Sequence, residues 1–153
     1  MLVKDIMSRE VKTVRPDTKL AEVASLMCLY RYSGLPVVKD SKLVAVISEK
    51  DVLQRLFPSL EEMTDKAATL GLDKLMGQYK EVLSLRVRDV MTQNPLTVEP
   101  NMHVLRAATV MNRHKFRRIP VTEGDTLVGM LSMGDVHKGL FHANMASTLR
   151  STL

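Results

Sequence analysis

The chain reads VKDIMSREVKTVRP at residues 3–16 and, 84 positions later, VRDVMTQNPLTVEP at residues 87–100. The alignment of 3–56 on 87–140 needs no gap and contains 16 identical pairs spread over its whole length. An internal repeat of this kind is one structural unit written twice. It therefore predicts the same fold in both halves of the chain.

The composition is ordinary for a folded protein. With 153 residues and 45% hydrophobic side chains, the chain suits one compact domain or two paired halves. No window holds the roughly 18 consecutive apolar residues of a membrane helix, and charged residues stand close to the amino terminus, so we expect a cytoplasmic protein with no membrane partner. The single cysteine, Cys28, cannot form a disulfide within the chain, and we interpret it as a partly buried helix residue.

The formal net charge of +5 favours anionic partners, but the charge is spread thinly. Only RHKFRR at 113–118 is a dense basic run, and the chain has three Tyr, three Phe and no Trp. Proteins that bind nucleic acids usually combine a broad basic face with aromatic side chains that stack on bases. Nucleic-acid binding is therefore the least favoured of the functions considered.

Local patterns predict the same order of elements in both repeats. In the first repeat, short segments rich in β-branched residues predict strands at 11–14, 36–38 and 43–47. A helix is predicted to begin near Asp17 or Thr18, and a second helix at Ser48 and its counterpart Ser132. Each repeat therefore reads strand, helix, strand, strand, helix, with a short leading helix over VKDIM or VRDVM.

The segment 57–86 belongs to neither copy. Ser59 followed by Glu62 fits a capping box, which predicts a helix that runs to Gly71, followed by a second helical piece. Its apolar stripe must be buried, either on the paired repeats or on a second subunit. The predicted organisation is a first repeat at 1–56, a helical linker at 57–86, a second repeat at 87–140 and a carboxy-terminal tail at 141–153.

Four ordered motifs occur once in each repeat: DIM and DVM, TVRP and TVEP, SGLPVV and RRIPVT, and SEKDV and SMGDV. Together they resemble a tandem pair of cystathionine β-synthase (CBS) domains, also called a Bateman module. The resemblance implies an α/β fold in which two β-α-β-β-α repeats pack as a pseudo-twofold pair with a helical linker. It also implies a homodimer and clefts that bind adenosine-containing ligands such as AMP, ADP, ATP or S-adenosylmethionine.

The resemblance also assigns residues to the nucleotide. A ribose offers two neighbouring hydroxyl donors to the carboxylate of Asp51 or Asp135, while Ser48 or Ser132 and the amides of the helix start suit a phosphate. Apolar walls and main-chain groups would hold the adenine, and exposed cations would add positive charge. The full set is Thr13, Gly34, Leu35, Pro36, Ser48, Lys50, Asp51, Leu96, Thr97, Val98, Arg117, Arg118, Ile119, Pro120, Ser132 and Asp135.

The S-x-x-D motif has a second interpretation, because Ser followed three residues later by an acid is an ordinary way to begin a helix. Capping and ligand binding do not exclude each other. Gly129 and Gly134 favour a ligand at the second repeat, since missing side chains permit close backbone approach, whereas the first repeat has Ala45 in place of Gly129. Arg117 and Arg118 have the alternative of being solvated loop charges.

The four histidines show no metal-ligand spacing, and no nucleotide-binding glycine loop, nucleophile elbow or catalytic carboxylate pair is present. We therefore expect neither a metal nor an enzyme, and no cofactor beyond a regulatory adenine nucleotide. The sequence favours a regulatory nucleotide sensor that acts on an unidentified partner protein. The alternative is a scaffold with empty clefts that only dimerises or binds another protein.

Overall fold

The structure is a computed structural model that describes residues 1–57 and 68–152. Within these residues the helices are α1 (Val3–Ile6), α2 (Leu20–Tyr30), α3 (Glu49–Leu53), α4 (Ala68–Gly77), α5 (Tyr79–Leu83), α6 (Val87–Val90), α7 (Val104–His114) and α8 (Met133–Ser151). A 3-10 turn, Gln54–Leu56, follows α3. The strands are β1 (Gly34–Lys39), β2 (Lys42–Ser48), β3 (Thr92–Gln93), β4 (Arg118–Glu123) and β5 (Thr126–Ser132). None of the helices in this part of the chain combines the length and apolar content that a bilayer span requires.

The chain forms two compact units, which we name after the acid of the S-x-x-D motif that each contains. The Asp51 unit comprises Lys12–Asp40 and Val44–Pro95. The Asp135 unit comprises Met1–Val11, Ser41–Leu43 and Leu96–Leu153. The units therefore do not follow the linear order of the sequence repeats.

The difference arises because the two leading helices are exchanged between the repeats. In the Asp135 unit, the α1 amides of Val3 and Lys4 donate to the carbonyls of Met102 and Pro100, both at 2.9 Å. In the Asp51 unit, the corresponding bonds run from the α6 residues Val87 and Arg88 to Thr18 and Pro16, again at 2.9 Å. Val3 and Val87 are fully buried. Each leading helix thus completes the core built by the other repeat.

The Asp51 unit packs α2, α3 and α5 with its strands. The α2 residues Leu20, Val23 and Met27 recur at helical spacing and are at most 5% exposed. Strand β2 lies beside β1 and pairs with β3 in antiparallel register. The buried core of this unit consists of Val14, Leu20, Val23, Met27, Leu35, Val37, Ala45, Ile47, Val52, Val82 and Val87.

The Asp135 unit repeats this plan. Strands β4 and β5 form an antiparallel pair from Arg118 opposite Ser132 to Glu123 opposite Thr126, with an irregularity between Val121 and Thr122. Lys42, which belongs to this unit, pairs with Thr126. The core consists of Val3, Met7, Val98, Val104, Ala107, Met111, Ile119, Val121, Leu131 and Val136.

Most predicted elements are confirmed, but the first predicted strand is wrong. The strands expected at 36–38 and 43–47 lie within β1 and β2. Of residues 11–14, only Val14 joins a ladder, as an isolated parallel bridge to Val37, while Lys12 and Thr13 are exposed. The preference of β-branched residues for strands depends on the neighbouring strands with which they pair and pack. Here the contact is one residue long.

The structure also differs from the sequence-based predictions for the linker helix and for the burial of Cys28. Helix α4 continues through Gly71 to Gly77, so the predicted stop is wrong, and the capping box at Ser59 lies outside the described residues. Tyr79 and Val82 pack on the core of the Asp51 unit, which decides where this part of the linker is buried. The segment 141–151, which was predicted as part of a tail after the second repeat, continues helix α8 to Ser151. Cys28 is exposed on α2, so its predicted partial burial is wrong.

The residue that follows α7 offers a stability test. Lys115 caps the helix in the left-handed conformation with φ at +57°, where any side chain beyond glycine is disfavoured. We expect Lys115→Gly to raise the free energy of unfolding by about 1 kcal/mol, as measured by urea denaturation. Lys115→Ala is the matched control, because it removes the charge but keeps the Cβ atom. An equal gain in both variants would assign the effect to charge and not to backbone strain.

Candidate functional site

The S-x-x-D motif forms the same reciprocal pair of hydrogen bonds in both units. In the Asp51 unit, the Ser48 amide donates to Asp51 Oδ2 at 2.9 Å, and the Asp51 amide donates to Ser48 Oγ at 3.2 Å. In the Asp135 unit, the Ser132 amide donates to Asp135 Oδ2 at 3.0 Å and the Asp135 amide to Ser132 Oγ at 2.9 Å. All four side chains are half-buried. The motif is therefore a capping box in each unit, and one carboxylate oxygen of each acid is committed to it.

The first helical residue is also engaged by the protein. The Glu49 amide donates to the Ser33 carbonyl at 2.9 Å, and the Met133 amide donates to the Arg117 carbonyl at 2.9 Å. Of the three leading amides in each helix, only that of Lys50 or Gly134 has no acceptor among the described residues. The expectation that several helix-start amides would face a phosphate is thus reduced to one amide in each unit.

The other two predicted segments meet beside this helix start. In the Asp51 unit, the Val14 amide donates to the Pro36 carbonyl at 3.0 Å, and the Val38 amide donates to the Val14 carbonyl at 2.8 Å. In the Asp135 unit, the bonds from Val98 to Pro120 and from Thr122 to Val98, both 3.0 Å, are their counterparts. The main chain of each unit therefore brings three parts together: the T-V segment (13–14 or 97–98), the P-V strand (β1 or β4) and the S-x-x-D helix start (α3 or α8).

The predicted contact residues differ in what they can offer a ligand. Leu35, Val98 and Ile119 are at most 3% exposed and belong to the unit cores, so their side chains are not available as walls. Pro36 and Pro120 are buried as well. The remaining predicted residues keep accessible surface: Thr13, Gly34, Ser48, Lys50, Asp51, Leu96, Thr97, Arg117, Arg118, Ser132 and Asp135.

The ligand role given to the missing side chain of Gly129 is wrong. A Cβ atom built on Gly129 would lie 2.8 Å from Met7 Sδ and 2.9 Å from the Ser8 carbonyl oxygen. The space is therefore filled by the segment after α1. Gly134 differs, since among the described residues a Cβ atom there would meet only Ser132 Oγ, at 3.6 Å. Of the two glycines, only Gly134 leaves room beside the helix start.

The three cationic residues predicted to contact the ligand lie on the surface. Lys50 is exposed at the start of α3, and Arg117 and Arg118 are exposed at the start of β4. Because the Arg117 carbonyl contacts the Met133 amide, its side chain begins close to the start of α8. The Asp135 unit thus has two arginines where the Asp51 unit has Ser33 and Gly34. In the described part of the chain, histidine, cysteine and acidic side chains do not assemble into a group that could hold a metal ion.

One contact at the candidate site was not predicted from the sequence. Thr92 Oγ1 donates to Asp51 Oδ1 at 3.2 Å, so Thr92 reaches the carboxylate that was assigned to the ribose. Thr92 comes directly after DVM, and its counterpart Ser8 comes directly after DIM. A hydroxyl at the same place in both copies was the available signal.

Comparison with known proteins adds family information to this geometry. The family model of the CBS domain matches residues 3–58 and 87–142. An uncharacterized protein, MJ1426, of Methanocaldococcus jannaschii is 35% identical over 92% of this chain and 91% of its own length. The CBS domain-containing protein YhcV of Bacillus subtilis is 30% identical over 88% of this chain and 81% of its own.

Solved structures agree in fold. The crystal structure of the CBS-pair protein CBSX2 from Arabidopsis thaliana has a TM-score of 0.76 at 28% identity, covering 94% of this chain and 96% of that one. A second crystal structure of CBSX2, in complex with AMP, has a TM-score of 0.72 at 28% identity, covering 94% and 98%.

Proposed function

Because the chain belongs to the CBS domain family, with two tandem copies, we propose that it is a regulatory module that binds an adenosine-containing nucleotide and signals its level to a partner protein. AMP is the first candidate, since the related CBSX2 has been crystallised in complex with AMP. The observation that carries the proposal is the convergence, within each unit, of the T-V segment, the P-V strand and the S-x-x-D helix start.

The chemistry of the Asp135 unit suits the sugar and the phosphate of such a ligand. Asp135 Oδ2 accepts from Ser132, while Oδ1 has no donor among the described residues and can accept a ribose hydroxyl. Ser132 Oγ accepts from the Asp135 amide, so its hydroxyl proton remains available to a phosphate oxygen. The Gly134 amide and the Arg117 guanidinium add a donor and a positive charge.

Regulation requires two states that the ligand distinguishes. A nucleotide shifts the protein toward the state that it binds more tightly, and the shift is limited by its difference in affinity for the two. The partner protein then needs only to recognise one of those states. No catalytic step is part of this mechanism.

Thermal unfolding with and without nucleotide tests the proposal. A ligand at 100 times its dissociation constant stabilises the folded state by about 2.7 kcal/mol, which corresponds to a rise in Tm of roughly 5–10 °C for a chain of this size. We expect this rise with AMP, ADP, ATP or S-adenosylmethionine at millimolar concentration. GMP is the control, because it has the same ribose and phosphate but a different base.

A second candidate, a scaffold that binds protein only, is favoured by one observation. Phe141, Met145 and Leu149 recur every four residues on α8 and are 55%, 43% and 63% exposed, so they form an apolar stripe. Such a stripe suits a second copy of the chain or another protein, in accord with the expected homodimer. Unfolding that responds to none of the nucleotides, together with dimers in sedimentation equilibrium, would favour this candidate over the sensor.

A further inference from the structure

The two acids assigned to the ribose have different hydrogen-bond partners. Asp51 accepts at both carboxylate oxygens, from the Ser48 amide at Oδ2 and from Thr92 Oγ1 at Oδ1. Asp135 accepts only at Oδ2 among the described residues, from the Ser132 amide. The carboxylates are therefore equivalent in the helix cap and unequal in what remains for a ligand.

The backbone places a hydroxyl-bearing residue at the same position in both units. Thr92 pairs with Val46 in the antiparallel contact of β3 with β2, which places it two residues before the end of β2 at Ser48. In the Asp135 unit, Ser8 takes the corresponding place opposite Met130, with both main-chain bonds at 2.9 Å.

The hydroxyl groups of Thr92 and Ser8 donate to different acceptors. Thr92 Oγ1 donates to the carboxylate of Asp51, whereas the hydrogen bond that Ser8 Oγ makes among the described residues goes to the carbonyl of Glu10, at 3.5 Å, and not to Asp135. The asymmetry between the units therefore lies in the direction of one hydroxyl and not in the fold.

We propose that Thr92 occupies the ligand-facing oxygen of Asp51, so that the Asp51 unit binds nucleotide about tenfold more weakly than the Asp135 unit and fills only at higher concentration. This inference rests on the proposed function. A ribose hydroxyl that approaches Asp51 Oδ1 must share it with Thr92 or displace it, and displacement removes a hydrogen bond to a charged group. At Asp135 the same hydroxyl meets Oδ1, for which residues 1–57 and 68–152 supply no donor. One module thereby responds to two ranges of nucleotide concentration.

Calorimetric titration with AMP, one unit at a time, tests the role of Thr92. In a chain that carries Asp135→Ala, only the Asp51 unit keeps its ribose acceptor, and adding Thr92→Val is expected to raise its affinity for AMP about tenfold. Valine keeps the shape of threonine and removes the donor. Thr92→Ser in the same chain restores the donor and is expected to return the affinity to the starting value. In a chain that carries Asp51→Ala, Thr92→Val is expected to leave AMP binding unchanged.

The outcomes separate this inference from the proposed function. If the Asp135→Ala chain binds AMP with the same or lower affinity after Thr92→Val, Thr92 does not compete with the ligand and the inference is wrong, while nucleotide binding stands. If the unsubstituted chain binds no adenosine nucleotide, the proposed function fails and the inference fails with it. A purely structural role of Thr92 would change Tm without changing the affinity, which also overturns the inference.

Discussion

Replacement of Asp135 by alanine, in a chain that already carries Asp51→Ala, is expected to weaken AMP binding about 100-fold. The Asp51→Ala background removes the ribose acceptor of the other unit, so the measured affinity reports the Asp135 unit. Hydrogen bonds to a charged group contribute about 1.5–3 kcal/mol each, and about 2.7 kcal/mol corresponds to the 100-fold loss. The measurement is a calorimetric titration of both chains with AMP.

The same substitution also removes a helix cap, so affinity and stability must be measured side by side. The Ser132 amide loses its acceptor, which lowers the free energy of unfolding by about 1 kcal/mol. Asp5→Ala is the matched control in the same unit, because Asp5 Oδ2 accepts from the Leu2 amide at 2.8 Å and caps α1 in the same way. We expect it to lower stability similarly and to leave AMP affinity unchanged. If the Asp135→Ala chain bound AMP as tightly as the Asp5→Ala chain, Asp135 would act as a capping residue and not as a ligand contact.

The second large effect concerns the packing of the segment after α1. Gly129→Val is expected to lower the free energy of unfolding by about 3 kcal/mol, at the upper end of the usual range for an overpacked core. A Cβ atom at this buried position would already lie 2.9 Å from the main-chain oxygen of Ser8, and valine adds two methyl groups. Backbone cannot move aside as a flexible side chain does. Urea denaturation monitored by circular dichroism measures the loss.

Gly134→Ala provides the comparison, because its new Cβ atom lies at an ordinary van der Waals distance, 3.6 Å, from Ser132 Oγ, the one neighbour within 4 Å in the part of the chain that the structure describes. Alanine is favoured over glycine within a helix, so stability should stay the same or rise by up to about 1 kcal/mol. If Gly129→Val were tolerated as well as Gly134→Ala, the segment carrying Met7 and Ser8 would have to be loosely held, contrary to its close packing on β5.

The parts of the fold that sequence could predict are those set by local pattern. The spacing of Leu20, Val23 and Met27 predicts α2 and its buried face, and the S-x-x-D motif predicts the capping boxes of α3 and α8. These features depend on residues that lie close together in the chain, so periodicity and cap chemistry are sufficient to find them.

The parts that sequence missed depend on contacts between distant residues. The exchange of α1 and α6 follows from bonds such as that between Val3 and Met102, which no local pattern encodes. The prediction of a strand at 11–14 was wrong for the same reason, since strand formation there depends on how many residues of β1 pair with it. In the candidate site, the acids and serines could be named in advance, but the donation from Thr92 to Asp51 required the register of β3 on β2.

The exchanged leading helices have a consequence for how such a chain acquires its stability. A single copy of the repeat that kept this exchanged arrangement would take its leading helix from a second molecule, and its folding would depend on protein concentration. Fusion of the copies turns that encounter into an intramolecular one, with an effective concentration fixed by the tether and independent of dilution. Duplication in this chain therefore does for stability what dimerisation would do for a single copy.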